Sequence, residues 1–159
     1  MMRTLIYAAS VTLAIATFNA TAYGSRPTTA GNFPHIVSTV QFPETKARNV
    51  RHTIRLEIPA GSSAISQLQF SVPPGLTVKN DITVRDRSGK KLDANTSVSD
   101  NIVTINFPQT VQPGTRLNIN MNRVVISGIS SGWLYLIDAK FVGNNAGIPI
   151  GVARVRTYQ

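Results

Sequence analysis

Apolar and polar residues alternate along most of this chain with a period of two. Val50, His52, Ile54, Leu56 and Ile58 interleave with Arg51, Thr53, Arg55 and Glu57, which is the pattern of a strand with one buried face. Pro59-Ala60-Gly61 ends that run. Ile65, Leu68, Phe70 and Val72 form the next, and its one break in alternation predicts a bulge. Pro73-Pro74-Gly75 predicts a turn, because proline fixes φ and glycine accepts a positive one. Short apolar segments at 76–79 and 82–85 flank Asn80-Asp81 and lead to a polar hairpin tip at 86–91.

The second half repeats the theme. After a turn at Ser99-Asp100-Asn101, the run 102–107 places Val103, Ile105 and Phe107 on one face. Gln112-Pro113-Gly114 is a further turn. Leu117, Ile119 and Met121 then alternate with Asn118 and Asn120, and Val124 to Ile126 carries the chain on. Trp133, Tyr135, Ile137, Ala139 and Phe141 make the longest alternating face. A loop at 143–147 precedes a last strand over 148–157. No window after residue 23 sustains a 3.6-residue apolar period with caps. Many short strands between Pro/Gly turns predict an all-β fold. The expected architecture is an antiparallel β-sandwich, immunoglobulin-like, with a small β-barrel as the alternative that shares this pattern.

The start of the chain departs from it. Met1-Met2-Arg3 is a short positive segment, Thr4 to Phe18 is apolar and uncharged, and Ala20-Thr21-Ala22 is a small-x-small cleavage signal. This is the layout of a secretory signal peptide, and the apolar stretch is too short for a spanning helix. The expected division is a signal peptide at 1–22, an extended lead-in at 23–48 with a candidate edge strand over 36–41, and a β-sandwich domain at 49–159. No transmembrane span is expected in the mature chain. The protein is expected to be exported to the periplasm, the outer envelope or the extracellular space.

Composition narrows the chemistry. The 159 residues are 42% hydrophobic and 14% charged, a globular balance. The chain has no cysteine, which excludes a disulfide scaffold, a thiolate zinc site, a cysteine nucleophile and a lipid-modified N-terminal cysteine. Lys and Arg number 16 against 7 Asp and Glu, for a net charge of +9, one unit of it from Arg3. In an exported protein that surplus points to anionic envelope polysaccharide, lipid headgroups or acidic secreted proteins, not nucleic acid. There is also no basic stripe interleaved with base-stacking aromatics.

No catalytic constellation emerges. Gly128-Ile129-Ser130-Ser131-Gly132 fits the G-x-S-x-G pattern of serine hydrolases. That chemistry needs a strand-to-helix turn and a later histidine. A strand-like run follows instead, and the only histidines are His35 and His52, so a hairpin loop is expected. His52 lies in an apolar register and reads as a hydrogen-bonded core histidine. Asp93-Ala94-Asn95-Thr96-Ser97 starts like a calcium loop, but Val98 replaces the turn glycine and Thr104 the bidentate glutamate. No metal, cofactor or catalytic residue is assigned, and the protein is expected not to be an enzyme.

Two basic clusters remain. One is Lys46, Arg48, Arg51 and Arg55; the other is Arg85, Arg87, Lys90 and Lys91, with Arg154 and Arg156 able to add to either. A solvated face that guards edge strands is the plain reading. The functional reading is contact with an anionic polymer through Arg51, Arg55, Arg87, Lys90 and Lys91.

Four stretches follow one another in a set order: Ile54-Arg55-Leu56-Glu57-Ile58-Pro59-Ala60-Gly61, the strand Val103 to Phe107 with Pro108, Val111, Pro113 and Gly114, Gly132-Trp133-Leu134-Tyr135-Leu136, and a close at Gly147, Ile150, Gly151, Val152, Ala153 and Arg154. That order of motifs resembles the cyanobacterial family of exported proteins carrying the DUF2808 domain. The resemblance covers about 33–157. It departs at Ile148-Pro149-Ile150, which lacks the usual aromatic, and in the missing Asn-Pro before Gly132. It implies export and an unknown function, and brings no catalytic residues. Together these readings predict a non-enzymatic binding or structural component of the cell envelope. The alternative is an edge-strand partner or assembly factor for a pilus or surface-layer protein. An envelope hydrolase ranks behind both.

Overall fold

The alternation resolves into ten strands in a computed structural model, which describes residues 29–157. The leader expected at 1–22 lies outside the described residues. A single 3-10 turn at Thr29–Asn32 precedes β1 (His35–Phe42), β2 (Asn49–Glu57), β3 (Ile65–Ser71), β4 (Leu76–Val78) and β5 (Ile82–Arg85). Then come β6 (Asn95–Ser99), β7 (Ile102–Val111), β8 (Arg116–Ile126), β9 (Gly132–Phe141) and β10 (Ile148–Arg156).

The strands form two antiparallel sheets. The first runs β1-β2-β8-β4, with β5 also on β8, and the second runs β10-β9-β3-β7-β6. Neither sheet closes on itself, so the sandwich holds and the barrel alternative does not. Among the described residues no helix is long and apolar enough to cross a membrane.

Period-two patterning fixes which side of each strand faces the other sheet. Ile54, Leu56, Leu117, Ile119 and Met121 of the first sheet are buried, as are Leu68, Phe70, Val103, Ile105, Tyr135 and Ile137 of the second. The bulge expected in β3 lies between Ile65 and Gln67. Asp100 and Asn101 both have positive φ, 51° and 60°, and link β6 to β7 as a two-residue hairpin turn of the primed type that suits sheet twist. β8 is one continuous strand, not two segments. Asn122 and Arg123 interrupt its alternation without ending it, because β2 pairs on one side and β4 and β5 share the other.

β1 lies along β2 from His35↔Glu57 to Phe42↔Arg51. Its other side faces β10: Thr39 Oγ1 donates to the carbonyl of Arg154, and a Cβ at Gly151 would come within 3.1 Å of Ile36 Cδ1. Ile36 thus meets Gly151 and Thr39 meets Arg154, so β1 and β10 run in the same direction along the seam where the two sheets meet.

Candidate basic face and end cleft

The outer face of the first sheet is built from the polar half of each alternation. On β2 it carries Arg51, Thr53 and Arg55, and on β8 Arg116, Asn118 and Asn120. Arg55 and Arg85 are both cross-strand partners of Asn118. With strands about 4.8 Å apart, those two arginines sit about 10 Å apart at Cα with an amide between them. Arg116 is already engaged in an ion pair with Glu57.

The tip expected at 86–91 adjoins this row. Asn118 Nδ2 donates to the carbonyl of Asp86 at 3.4 Å, and Arg85 Nη1 donates to the carbonyl of Gly89 at 2.8 Å. Asp86 organises the tip: its Oδ1 accepts from Ser88 N at 2.9 Å, Ser88 Oγ at 2.6 Å and Lys90 N at 3.0 Å. The Ser88 hydroxyl bond is the main cause of a carboxyl pKa below the ordinary value, and the two backbone N–H groups add to it. The loop is therefore held by its one acid while Arg87, Lys90 and Lys91 are exposed.

Arg51 sits about 13 Å along β2 from Arg55, four residues at about 3.3 Å each. Its guanidinium lies 5.0 Å from the centre of the exposed Phe42 ring, a cation–π contact. It shares a hollow of about 520 Å³ with Lys79, Arg123, Asn49 and Asn122. Lys79 is fixed there by its N–H bond to the Arg123 carbonyl, 2.9 Å. Asp81 is the nearby acid, accepting from Asn122 Nδ2 at 3.1 Å. Of the five residues singled out, Arg87, Lys90 and Lys91 share the tip, Arg51 joins Lys79 and Arg123, and Arg55 turns toward β1, where its Nη1 donates to Ser38 Oγ at 3.3 Å. Arg154 and Arg156 belong to neither group, because β10 carries them in the second sheet. Lys46 and Arg48 also part from Arg51, since the β1–β2 connection carries them over the end of the sheet.

There they line a cleft of about 350 Å³ together with Gln41, Ile126, Ile129 and Trp133. Its construction is local. The Pro74-Gly75 turn, with Gly75 at φ +90°, offers its carbonyl to the N–H groups of Ser127 and Gly128 at 2.9 and 3.1 Å. A Cβ at Gly75 would fall 3.1 Å from Gly128 Cα and from the Trp133 ring. Gly75→Ala is therefore expected to cost about 1–3 kcal/mol through backbone strain; thermal unfolding of the variant checks it. Trp133 is 4% exposed, and among the described residues its indole N–H has no partner.

Behind the cleft runs a buried polar chain. His52 Nδ1 is 2.7 Å from the Tyr135 hydroxyl, and His52 Nε2 is 3.4 Å from Gln41 Oε1. Gln41 Nε2 donates to the carbonyls of Pro43 and Thr45 at 3.4 and 3.3 Å. The amide so oriented leaves Oε1 as an acceptor, so His52 carries its proton on Nε2 and Nδ1 accepts from Tyr135. Desolvation lowers the His52 pKa from 6.5 to about 4 and raises that of Tyr135 above the usual range. Both are neutral at pH 7. The chain ties the core to the loop that forms one wall of the cleft.

The hydrolase-like motif is the β8–β9 loop. Ser130 Oγ donates to the Gly132 carbonyl at 2.8 Å and accepts from Gly132 N at 3.2 Å, while His52 is bonded to Tyr135 and Gln41. Among the described residues no three His, Asp or Glu side chains gather to hold a metal ion. On the outer face of the second sheet, Leu134, Leu136 and Val152 are 50%, 54% and 51% exposed, and Val152 is the cross-strand partner of Leu136. Lys79, Arg85 and Arg123 were not among the five residues singled out by sequence. The alternation assigns each a face, but only the central place of β8 makes them neighbours of Arg51 and Arg55.

A family model, "Protein of unknown function (DUF2808)", matches residues 27–155. No curated protein matches the chain. The fold is similar to that of BcpA, the major pilin subunit of Bacillus cereus, with TM-score 0.51 and 12% identity over 78% of this chain and 40% of that one. It is also similar to the N-terminal domain of a Streptococcus gordonii adhesin, with TM-score 0.51 and 12% identity over 80% of this chain and 33% of that one. The chain spans less than half the length of either. The likeness is one of fold, an immunoglobulin-like sandwich.

Proposed function

The chain belongs to the DUF2808 family, whose function is unknown, and from that footing we propose that it is an exported, non-enzymatic β-sandwich domain that binds an anionic polysaccharide of the cell envelope. The leader at 1–22 and its removal are part of this reading, as is the sharing of a fold with a pilin and an adhesin domain. The observation that carries it is the outer face of the first sheet. There Arg55 and Arg85 flank Asn118 beside a cationic tip, and Arg51, Lys79 and Arg123 surround a hollow. Arginines spaced along a flat, amide-rich surface match the repeated charges of a polymer better than a single small ion. The reading needs no catalyst: His52 is neutral, buried and bonded at both nitrogens.

The test is binding of the mature protein to immobilised polygalacturonate, with dextran as the neutral control. Affinity for the acidic polymer is expected to fall steeply with salt. Reversing Arg51, Arg55, Arg87, Lys90 and Lys91 to Glu is expected to weaken it by about two orders of magnitude, at about 0.5 kcal/mol per lost contact. Unchanged affinity, or equal binding to dextran, overturns the reading.

One observation favours the second reading, association with another secreted β protein. Leu134, Leu136 and Val152 form an exposed apolar patch, which would give salt-insensitive contact. Retention of an envelope protein by the patch that survives high salt and is lost in Leu136→Asp would move the assignment there.

A further inference from the structure

We propose that the cleft beneath the β8–β9 loop binds a single acidic sugar unit, whose carboxylate is taken by Lys46 and Arg48. The inference rests on the polysaccharide reading and names a subsite within it. Among the described residues the cleft lining includes these two cations and no Asp or Glu, so an anionic group is favoured there.

The remaining groups suit a sugar ring. Trp133, 4% exposed, lends the cleft an apolar ring edge, its Cη2 and Cζ3 lying against Gly75 and Gly128. The hydroxyls offer acceptors. Ser127 Oγ donates to the Gly75 carbonyl, Ser130 Oγ to that of Gly132 and Thr157 Oγ1 to that of Ser130. Each has spent its one proton; Ser127 and Thr157 keep both lone pairs for a ligand O–H, and Ser130, which accepts from Gly132 N, keeps one. Ala47, Ile126 and the indole supply apolar surface for the C–H face of a pyranose, and Ile129, 97% exposed, stands at the lip. A volume of about 350 Å³ lies at the lower end of the range for ligand sites, about 300–1,000 Å³, room for one or two units and not a chain.

The cleft and the basic hollow share no lining residue: Gln41, Arg48 and Ile126 line the one, and their chain neighbours Phe42, Asn49 and Val125 line the other.

Trp133 is the only tryptophan, so its emission reports on the site directly. The mature protein is titrated with glucuronate, with glucose and acetate as controls. A saturable change in emission with glucuronate in the millimolar range, absent with glucose and acetate, is the expected result. Lys46→Glu/Arg48→Glu, at exposed positions, is expected to weaken it at least tenfold. Arg51→Glu/Arg55→Glu is expected to leave it unchanged while weakening polygalacturonate binding. Silence with glucuronate while the polymer still binds overturns the cleft inference alone. A response to acetate or glucose as strong as to glucuronate overturns it as well. Saturation by glucuronate without polymer binding upholds the cleft and overturns the basic face.

Discussion

Acidification from pH 7 to pH 4 is expected to remove about 3 kcal/mol of folding stability through His52 alone. Burial lowers the pKa of this side chain from 6.5 to about 4. In the unfolded chain the imidazole recovers its ordinary value, so between those two pH values the unfolded state holds more protons than the folded one. Stability therefore rises with pH across that window. The contribution is complete above about pH 6.5, is lost as pH falls toward 4, and changes no further below. A displacement from 6.5 to about 4, at about 1.4 kcal/mol per pKa unit, sets the size. Urea midpoints across this range for the native protein and for His52→Gln, which cannot titrate, give a difference curve free of the carboxylates. A flat difference curve removes the prediction. Tyr135→Phe leaves Nδ1 of His52 without its donor and should cost about 1–3 kcal/mol at pH 7.

Phe70→Ala should be the most damaging single truncation, at about 3–5 kcal/mol. Phe70 is fully buried on the middle strand of the second sheet. It has Val103 of β7 on one side and Ile137 of β9 on the other. Both neighbours are held by their own ladders, so the space it leaves cannot close. Gln69→Ala, one residue away on the opposite face, is expected to change stability by less than about 1 kcal/mol. Equal losses for the two variants in chemical denaturation would mean that the inward face of β3 has been misassigned.

These effects follow from what the alternation of residues makes legible. β2, β7 and β9 announce themselves because each is hydrogen-bonded on both sides and half-buried, so every second residue must be apolar. β6 does not, because it is an edge strand whose segment Asn95-Thr96-Ser97-Val98-Ser99 offers a single aliphatic side chain. Its outer edge is met by Asn80, which donates to the Thr96 carbonyl and accepts from the Thr96 hydroxyl. The site divides in the same way. Periodicity puts Arg51 and Arg55 on one polar face, but strand order decides what lies beside them. Strand order is set by contacts far apart in the chain, such as Arg55 with Asn118. Proximity in sequence misleads at Lys46, Arg48 and Arg51, where a few residues of turn separate a cleft from a face. The indole N–H of Trp133, without a partner among the described residues, has no local signature: as an inward residue of β9 it reads like any other core aromatic.

The parallel seam between β1 and β10 has a mechanical meaning. Tension carried through the domain from one flank to the other enters at His35 and leaves at Arg156. Because the two strands point the same way, that pull drags them lengthwise past each other and strains the Thr39–Arg154 clasp and the Ile36–Gly151 contact together. Peeling one contact at a time is the easier route to rupture, and this geometry denies it. Resistance to such a pull is governed by the rate of opening and not by equilibrium stability. A domain tethered at both flanks is therefore arranged to bear load in shear.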